Sequence, residues 1–205
     1  MYYNNKMLFI FDMGGVVTNT FKMDSLWDSL KMTRENFFDL CKHSEQNIWL
    51  DFEKGNLSSK EFWDSFNEII KDNPKYNLIY PIKHDLFRLF FHPVRNPIIE
   101  ELINRLKKKH RVVCGTNTNQ SHWENHMECG DYALFNQTYA SNKIFSVKPD
   151  LEFFQLIMDA EGYSPSETFF TDDKEENCKA AISLGINTVH FSTPQDLVSK
   201  WEKYC

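Results

Sequence analysis

The feature that most constrains this chain is a recurring pattern: a short apolar run that stops abruptly at a polar, chemically capable residue. Residues 7–11 are apolar throughout and end at Asp12. Residues 111–114 lead into Gly115 and then Thr116, Asn117, Thr118 and Asn119. Thr168-Phe169-Phe170 gives way to Thr171-Asp172-Asp173, and residues 187–191 form a β-branched and aromatic run. A further strand signal lies near Tyr139 and Ala140, ahead of Lys148-Pro149. Runs this short, bounded by turn formers, read as strands. Their near-continuous apolar character fits strands covered on both faces.

Segments of helical spacing lie between these runs. Ile98, Ile99, Leu102, Ile103 and Leu106 make one apolar stripe. Leu151, Phe154, Ile157 and Met158 make another, with Pro149 ahead of it and Gly162 just past its end, the usual helix punctuation. A third segment, from about 174 to 184, stops at Gly185. Strand–helix alternation predicts an α/β fold, a Rossmann-like parallel sheet with helices on both faces. The 205 residues suit one such domain carrying an insertion.

The insertion follows the first strand. No second strand signal appears until residue 111, and the intervening chain carries apolar sets at helical spacing: Leu26/Leu30, Phe37/Cys41 and Phe62/Phe66/Ile70. A parallel crossover needs only about a dozen residues. We therefore expect an all-helical subdomain over residues 20–92 and an α/β core formed by 1–19 and 93–205. His92-Pro93 and Asn96-Pro97 mark its exit, and its aromatic stripes read as its own core.

Composition excludes several function classes. With 41% apolar and 15% aromatic residues the chain can bury a sizeable core, which excludes disorder. Twenty-three basic and 29 acidic residues give a net charge of −6, which argues against a nucleic-acid or anionic-membrane partner. The basic run Arg105, Lys107, Lys108, Lys109 and Arg111 closes an apolar stripe and reads as a solvated helix end. No apolar stretch approaches the roughly 20 residues that span a bilayer, and residues 7–11 lack a signal-peptide layout. Five scattered cysteines without a CxxC pair point away from a disulfide framework and towards a reducing cytoplasm. Oligomeric state is not legible.

In an open parallel sheet, ligands bind beyond the carboxyl ends of the strands. That edge would gather Asp12, Gly14-Gly15, Thr116-Asn117, Lys148 and Asp172-Asp173. Singly, each has an ordinary reading: a strand-ending Asp, a turn, a surface lysine, helix caps. Together, three carboxylates at one edge repel unless a cation sits among them, and Mg²⁺ is the natural occupant of an all-oxygen site. Backbone N–H groups around Gly14-Gly15 and a lysine then suit a phosphate dianion. The expected partner is a small phosphorylated metabolite.

These residues fall into four ordered motifs. Phe9-Ile10-Phe11-Asp12-Met13-Gly14-Gly15-Val16-Val17 resembles the first motif of the haloacid dehalogenase superfamily. Thr116-Asn117 resembles the second, Lys148-Pro149 the third and Phe169-Phe170-Thr171-Asp172-Asp173 the fourth. The insertion between motifs one and two stands where that superfamily places its helical C1 cap. The wording Asp-x-Gly-Gly-Val, Asn117-Thr118-Asn119 and the paired aspartates look like the glucose-1-phosphate phosphatase-like branch. The resemblance implies a Mg²⁺-dependent phosphatase. Asp12 would be the nucleophile, forming an aspartyl-phosphate. Asp12, the Gly14 carbonyl and Asp173 would hold Mg²⁺, with Asp172 helping directly or through water. Thr116 and Asn117 would bind phosphoryl oxygens, and Lys148 would neutralise developing charge and keep Asp12 ionised. The cap would close over the site.

One departure from the family matters. Most of its phosphatases carry a second Asp two residues after the nucleophile, as general acid, and here that position is Gly14. The gap implies a slow enzyme or an easily expelled leaving group such as an anomeric sugar phosphate. It also keeps two alternatives open. The superfamily's haloacid dehalogenases lack this acid, though they do without Mg²⁺, and a catalytically impaired phospho-ligand-binding protein would also lack it. His122 is a candidate substitute acid. His122, His126, Glu124 and Cys129 have no second ligand pair at fixed spacing and read as structural rather than as a zinc site. Residues 49–55, a helix-turn in the insertion, are the expected specificity element.

Overall fold

The computed structural model describes residues 6–19, 23–42 and 46–205. Five strands form its centre: β1 (Leu8–Phe11), β2 (Arg111–Thr116), β3 (Gln137–Ala140), β4 (Thr168–Asp172) and β5 (Asn187–His190). They pair entirely in parallel, in the order β3-β2-β1-β4-β5. Successive side chains of β1 point to opposite faces, as the pleat requires. Phe9 and Phe11 join a buried cluster with Ile103, Leu197 and Trp201, which come from α6 (Pro97–Leu106) and α11 (Pro194–Trp201). Leu8 and Ile10 join a second cluster with Phe153, Phe154, Ile157 and Ala181, from α9 (Leu151–Glu161) and α10 (Glu175–Ser183). Helices thus cover both faces, the Rossmann-like α/β arrangement.

Two strands run further than their apolar signals. β2 continues through Gly115 and Thr116 because these pair with Tyr139 and Ala140. β4 continues to Asp172, opposite His190. Pairing with an outer neighbour overrides local composition there, so Thr116 and Asp172 are held in the ladder rather than on loops. β5 in turn stops one residue before Phe191.

Between β1 and β2 lie α1 (Asp24–Leu30), α2 (Arg34–Lys42), α3 (Ile48–Glu53), α4 (Ser59–Ile70) and α5 (Leu86–Phe90). Leu26, Leu30, Phe37, Cys41, Phe52, Phe62, Phe66, Ile70 and Phe87 bury one another in a cluster of their own. α4 starts at a capping box, in which the Ser58 hydroxyl and the Glu61 carboxylate each serve the other's backbone N–H. The chain leaves the α/β part and returns through two paired linkers: Asn19 N–H donates to the Val94 carbonyl (3.0 Å), and Asn96 N–H donates to the Val17 carbonyl (2.8 Å). Residue 20, where the insertion is expected to begin, lies outside the described residues. Asn96 then caps α6, with Pro97 in its first turn.

None of the five cysteines is in a disulfide. Among the described residues no helix is long and apolar enough to cross a membrane. The basic run is split among local partners: Lys107 donates to the Leu134 carbonyl (2.7 Å), and Arg105 and Arg111 pair with Glu202 and Glu161.

Candidate active site

At the carboxyl edge of the sheet, Lys148 connects the three central strands, β2, β1 and β4. Its ammonium donates to Asp12 Oδ1 at 2.6 Å, to Asp172 Oδ2 at 2.6 Å and to the Gly115 carbonyl at 2.8 Å. Burial alone would pull the Lys148 pKa down, but the two carboxylates outweigh it and hold the ammonium protonated. Burial pushes Asp12 up to about 7; Lys148 opposes that rise, and Asp172 adds to it. Asp12 is therefore a carboxylate short of positive charge.

Asp172 has almost no capacity left. Its Oδ1 accepts from the Lys174 N–H (2.8 Å), and its Oδ2 accepts from both Lys148 and Asn177 Nδ2 (3.0 Å). Asp173 is the opposite case: its Oδ1 is buried with no hydrogen-bond partner, and burial followed by Asp172 raises its pKa. Gly15, at φ +88°, makes room for it, because a Cβ there would stand 2.4 Å from Asp173 Oδ2. Carboxylate oxygens of Asp12, Asp172 and Asp173 lie within 4.8 Å of one another. Such an all-oxygen set, with one orphaned buried oxygen, fits a hard divalent cation.

Two of the groups expected near phosphate have partners within the chain. The Asn117 carboxamide is engaged by Lys148: Asn117 Nδ2 donates to the Lys148 carbonyl, and Lys148 N–H donates to Asn117 Oδ1, both at 2.8 Å. This side chain fixes the lysine's backbone. The Gly15 N–H likewise donates to the Thr18 carbonyl (2.9 Å), closing the turn after Asp12. The Thr116 hydroxyl makes only a long contact, 3.3 Å, to the Asn117 carbonyl, which leaves it able to turn to a ligand. At Gly14, an added Cβ would meet nothing within 4 Å.

His122 does not join this group as a proton donor. Its ring stacks on Phe91 at 3.8 Å, and its Nε2 is buried without a partner. Burial, then His126, pushes its pKa down to about 3, so at pH 7 it is neutral. His126 is bound to Asp131 (2.8 Å). Among the described residues, the one cluster of metal-ligating side chains is the aspartate trio, so the His122/His126/Glu124/Cys129 set does not assemble. A cleft of about 640 Å³ between α4 and α7 (Gln120–Glu128) is lined by Trp63, Lys83, His84 and Glu124 and includes none of the catalytic-edge residues.

Glu53 is a charged group near this edge that the sequence reading did not single out. It ends α3, and its carbonyl accepts from Ser141 Oγ (2.7 Å) at the start of α8 (Ser141–Ile144). Its carboxyl takes a hydrogen bond from Trp49 and is acted on by Lys174 and Lys148. The sequence reading picked out its segment, residues 49–55, without the residue itself.

The chain matches the family model described as haloacid dehalogenase-like hydrolase over residues 9–191. It resembles a HAD family enzyme of Bacteroides thetaiotaomicron at 28% identity and TM-score 0.74, covering 96% of this chain and 98% of that one. The same enzyme solved with magnesium and inorganic phosphate gives 27% identity and TM-score 0.71, over 91% and 94% of the two chains. Among curated proteins it is 27% identical to acyl-CoA dehydrogenase family member 10 of Mus musculus, over 75% of this chain but only 14% of that protein. It is 26% identical to a sesquiterpene phosphatase of Aspergillus oryzae over 89% of this chain and 88% of that one. On the match along nearly its whole length and the shared fold, the chain belongs to the haloacid dehalogenase-like hydrolases.

Proposed function

We propose that this hydrolase is a Mg²⁺-dependent phosphatase acting on a small phosphomonoester, with Asp12 as nucleophile. The observation that carries the reading is the Lys148 ammonium, 2.6 Å from both Asp12 and Asp172, beside the unpartnered oxygen of Asp173. A site of this kind suits a dianionic substrate and a divalent cation together. The magnesium and phosphate held by the Bacteroides enzyme, and the activity named for the Aspergillus relative, support it.

Asp12 attacks phosphorus through a carboxylate oxygen, the bond to the leaving oxygen breaks, and an aspartyl-phosphate forms. Water then attacks the same phosphorus and releases Asp12 and phosphate. Lys148 offsets charge on Asp12 and on the phosphoryl group, and Thr116 Oγ1 donates to a phosphoryl oxygen. Asn117 positions Lys148. Catalysis is thus positioning and electrostatics, which is what phosphoryl transfer asks of a protein. Mg²⁺, held by Asp12, the Gly14 carbonyl and Asp173, with Asp172 behind them, would supply further neutralisation of the phosphoryl charge.

Residues 20–92 act in this reading as a lid on a core of 1–19 and 93–205, with 49–55 selecting the substrate. An anomeric sugar phosphate, as in the glucose-1-phosphate phosphatase-like branch, suits a site with glycine at position 14. Five cysteines outside any disulfide fit a cytoplasmic setting. The test is a screen of sugar, aryl and alkyl phosphates with and without Mg²⁺, with Asp12→Asn as control. Hydrolysis that needs Mg²⁺ and Asp12 is expected. Halide release from 2-haloacids in chelator would transfer the chain to the dehalogenases, and phosphate binding without turnover would make it a binding protein.

A further inference from the structure

The phosphatase reading leaves one proton unassigned. The leaving alkoxide needs it, Gly14 has no group to give it, and His122 is neutral and stacked on Phe91. The turn that follows Glu53 is pinned to the catalytic edge at three points. The Glu53 carbonyl accepts from Ser141 Oγ at 2.7 Å, and the same hydroxyl accepts from Thr118 N–H at 2.9 Å, two residues after Thr116. Gly55, at φ +76°, lies so close to α8 that a Cβ would stand 2.3 Å from the Asn142 carbonyl oxygen. Lys54 pairs with Asp150 at 3.7 Å, two residues after Lys148. These contacts carry α3 from the insertion onto the segments that hold Thr116 and Lys148.

The charged groups facing the Glu53 carboxyl come from the core: Lys174, beside Asp173, and Lys148, on Asp12. From its own helix Trp49 donates to it, and α8 offers the neutral Ser141 and Asn142. Glu53 is half-buried, and protein encloses its carboxyl. Burial raises its pKa, with Lys174, Trp49 and Lys148 pulling the other way. A carboxyl whose pKa is raised keeps its proton to higher pH and can give it up within the site.

We propose that Glu53 is the general acid that Gly14 cannot be. As the Asp12 oxygen bonds to phosphorus and the leaving P–O bond breaks, the electron pair goes to the leaving oxygen, which takes the proton of the Glu53 carboxyl. The resulting Glu53 carboxylate then takes a proton from the water that attacks the aspartyl-phosphate. The sum is ester plus water giving alcohol plus phosphate, with Glu53 restored. Lid and acid are then one element: the proton donor is in place only when the insertion is docked on the core.

The proposal rests on the phosphatase reading, and one experiment separates them. The full chain and its Glu53→Gln and Glu53→Asp variants are assayed with Mg²⁺ on aryl and primary alkyl phosphates spanning a range of leaving-group pKa. Glu53→Gln is expected to lower kcat/KM for alkyl phosphates by about 10²–10⁴-fold, while 4-nitrophenyl phosphate, whose leaving group departs unaided, changes by less than about tenfold. Glu53→Asp should recover part of the alkyl rate. A uniform fall across the series, or none, overturns the proposal and leaves the phosphatase intact. Failure of the unmodified chain to hydrolyse any phosphate ester overturns both.

Discussion

The Asn117 carboxamide and the Lys148 backbone hold each other through two reciprocal hydrogen bonds of 2.8 Å, across a sequence separation of 31 residues. This clamp aims the lysine. With its backbone tied to the end of β2, the side chain runs back to the Gly115 carbonyl, Asp12 and Asp172. Asn117→Ala frees the backbone of Lys148 without touching its ammonium. We expect phosphatase kcat to fall by about a hundredfold, the usual cost of about 1 Å of misplacement. Chemical denaturation should report a loss of about 1–3 kcal/mol from two unmet partners.

A second prediction concerns Asp173. Its buried Oδ1 lacks a partner, and its raised pKa means that the folded chain disfavours the charge. Asp173→Asn removes that charge, so without metal the variant should melt above the unmodified chain. The unmodified chain should gain about 2.7 kcal/mol at Mg²⁺ equal to 100 times its dissociation constant, and the variant should gain little and lose activity. Paired melts with Mg²⁺ and with chelator check both signs. A variant that keeps the full Mg²⁺ shift would remove Asp173 from the metal site.

The contrast between Asp172 and Asp173 shows where sequence stops being informative. Adjacent aspartates after an apolar run indicated a carboxylate edge, and the position of Asp12 and Thr116 at strand ends, with Lys148 ahead of the helix that follows β3, was legible from the alternation. The division of labour did not follow. It depends on Asn177 and the Lys174 N–H, which with Lys148 engage Asp172, and on Gly15, which makes room for Asp173. Strand ends were misjudged for a similar reason, since Gly115 and Thr116 are strand only because Tyr139 and Ala140 pair with them. Glu53 was hidden because a helical glutamate is ordinarily solvated; only its docking against α8 brings it to the core.

The third prediction uses His122 as a stability probe. Its folded pKa lies near 3 against an ordinary 6.5. Below 6.5 the unfolded chain takes up a proton that the folded chain refuses. His122 therefore supports folding above that value and withdraws support as pH falls towards 3, by about 1.4 kcal/mol per pH unit for one proton. His122→Phe keeps a ring against Phe91 and deletes the unpartnered Nε2. The difference in unfolding free energy between the two chains should shift in favour of the variant between pH 6 and pH 4, by about that slope. Parallel pH–stability curves would show that the imidazole is solvated.

The last prediction concerns Gly14. An added Cβ there meets nothing within 4 Å, so a side chain can start at this position without displacing neighbours. Gly14→Asp puts a carboxyl two residues beyond Asp12, where the proposed mechanism has the leaving oxygen depart. On the unmodified background the gain should be small, because in the proposed mechanism Glu53 already donates the proton. On the Glu53→Gln background the same change should raise alkyl-phosphate turnover by about tenfold or more, with aryl-phosphate turnover nearly unchanged. The added charge also stands near Asp12, whose pKa is already pushed up to about 7. Mg²⁺ affinity is therefore measured alongside, so that a shifted metal site is seen directly. Equal gains on both backgrounds would mean that Gly14 alone sets the proton deficit, and that Glu53 contributes nothing to leaving-group departure.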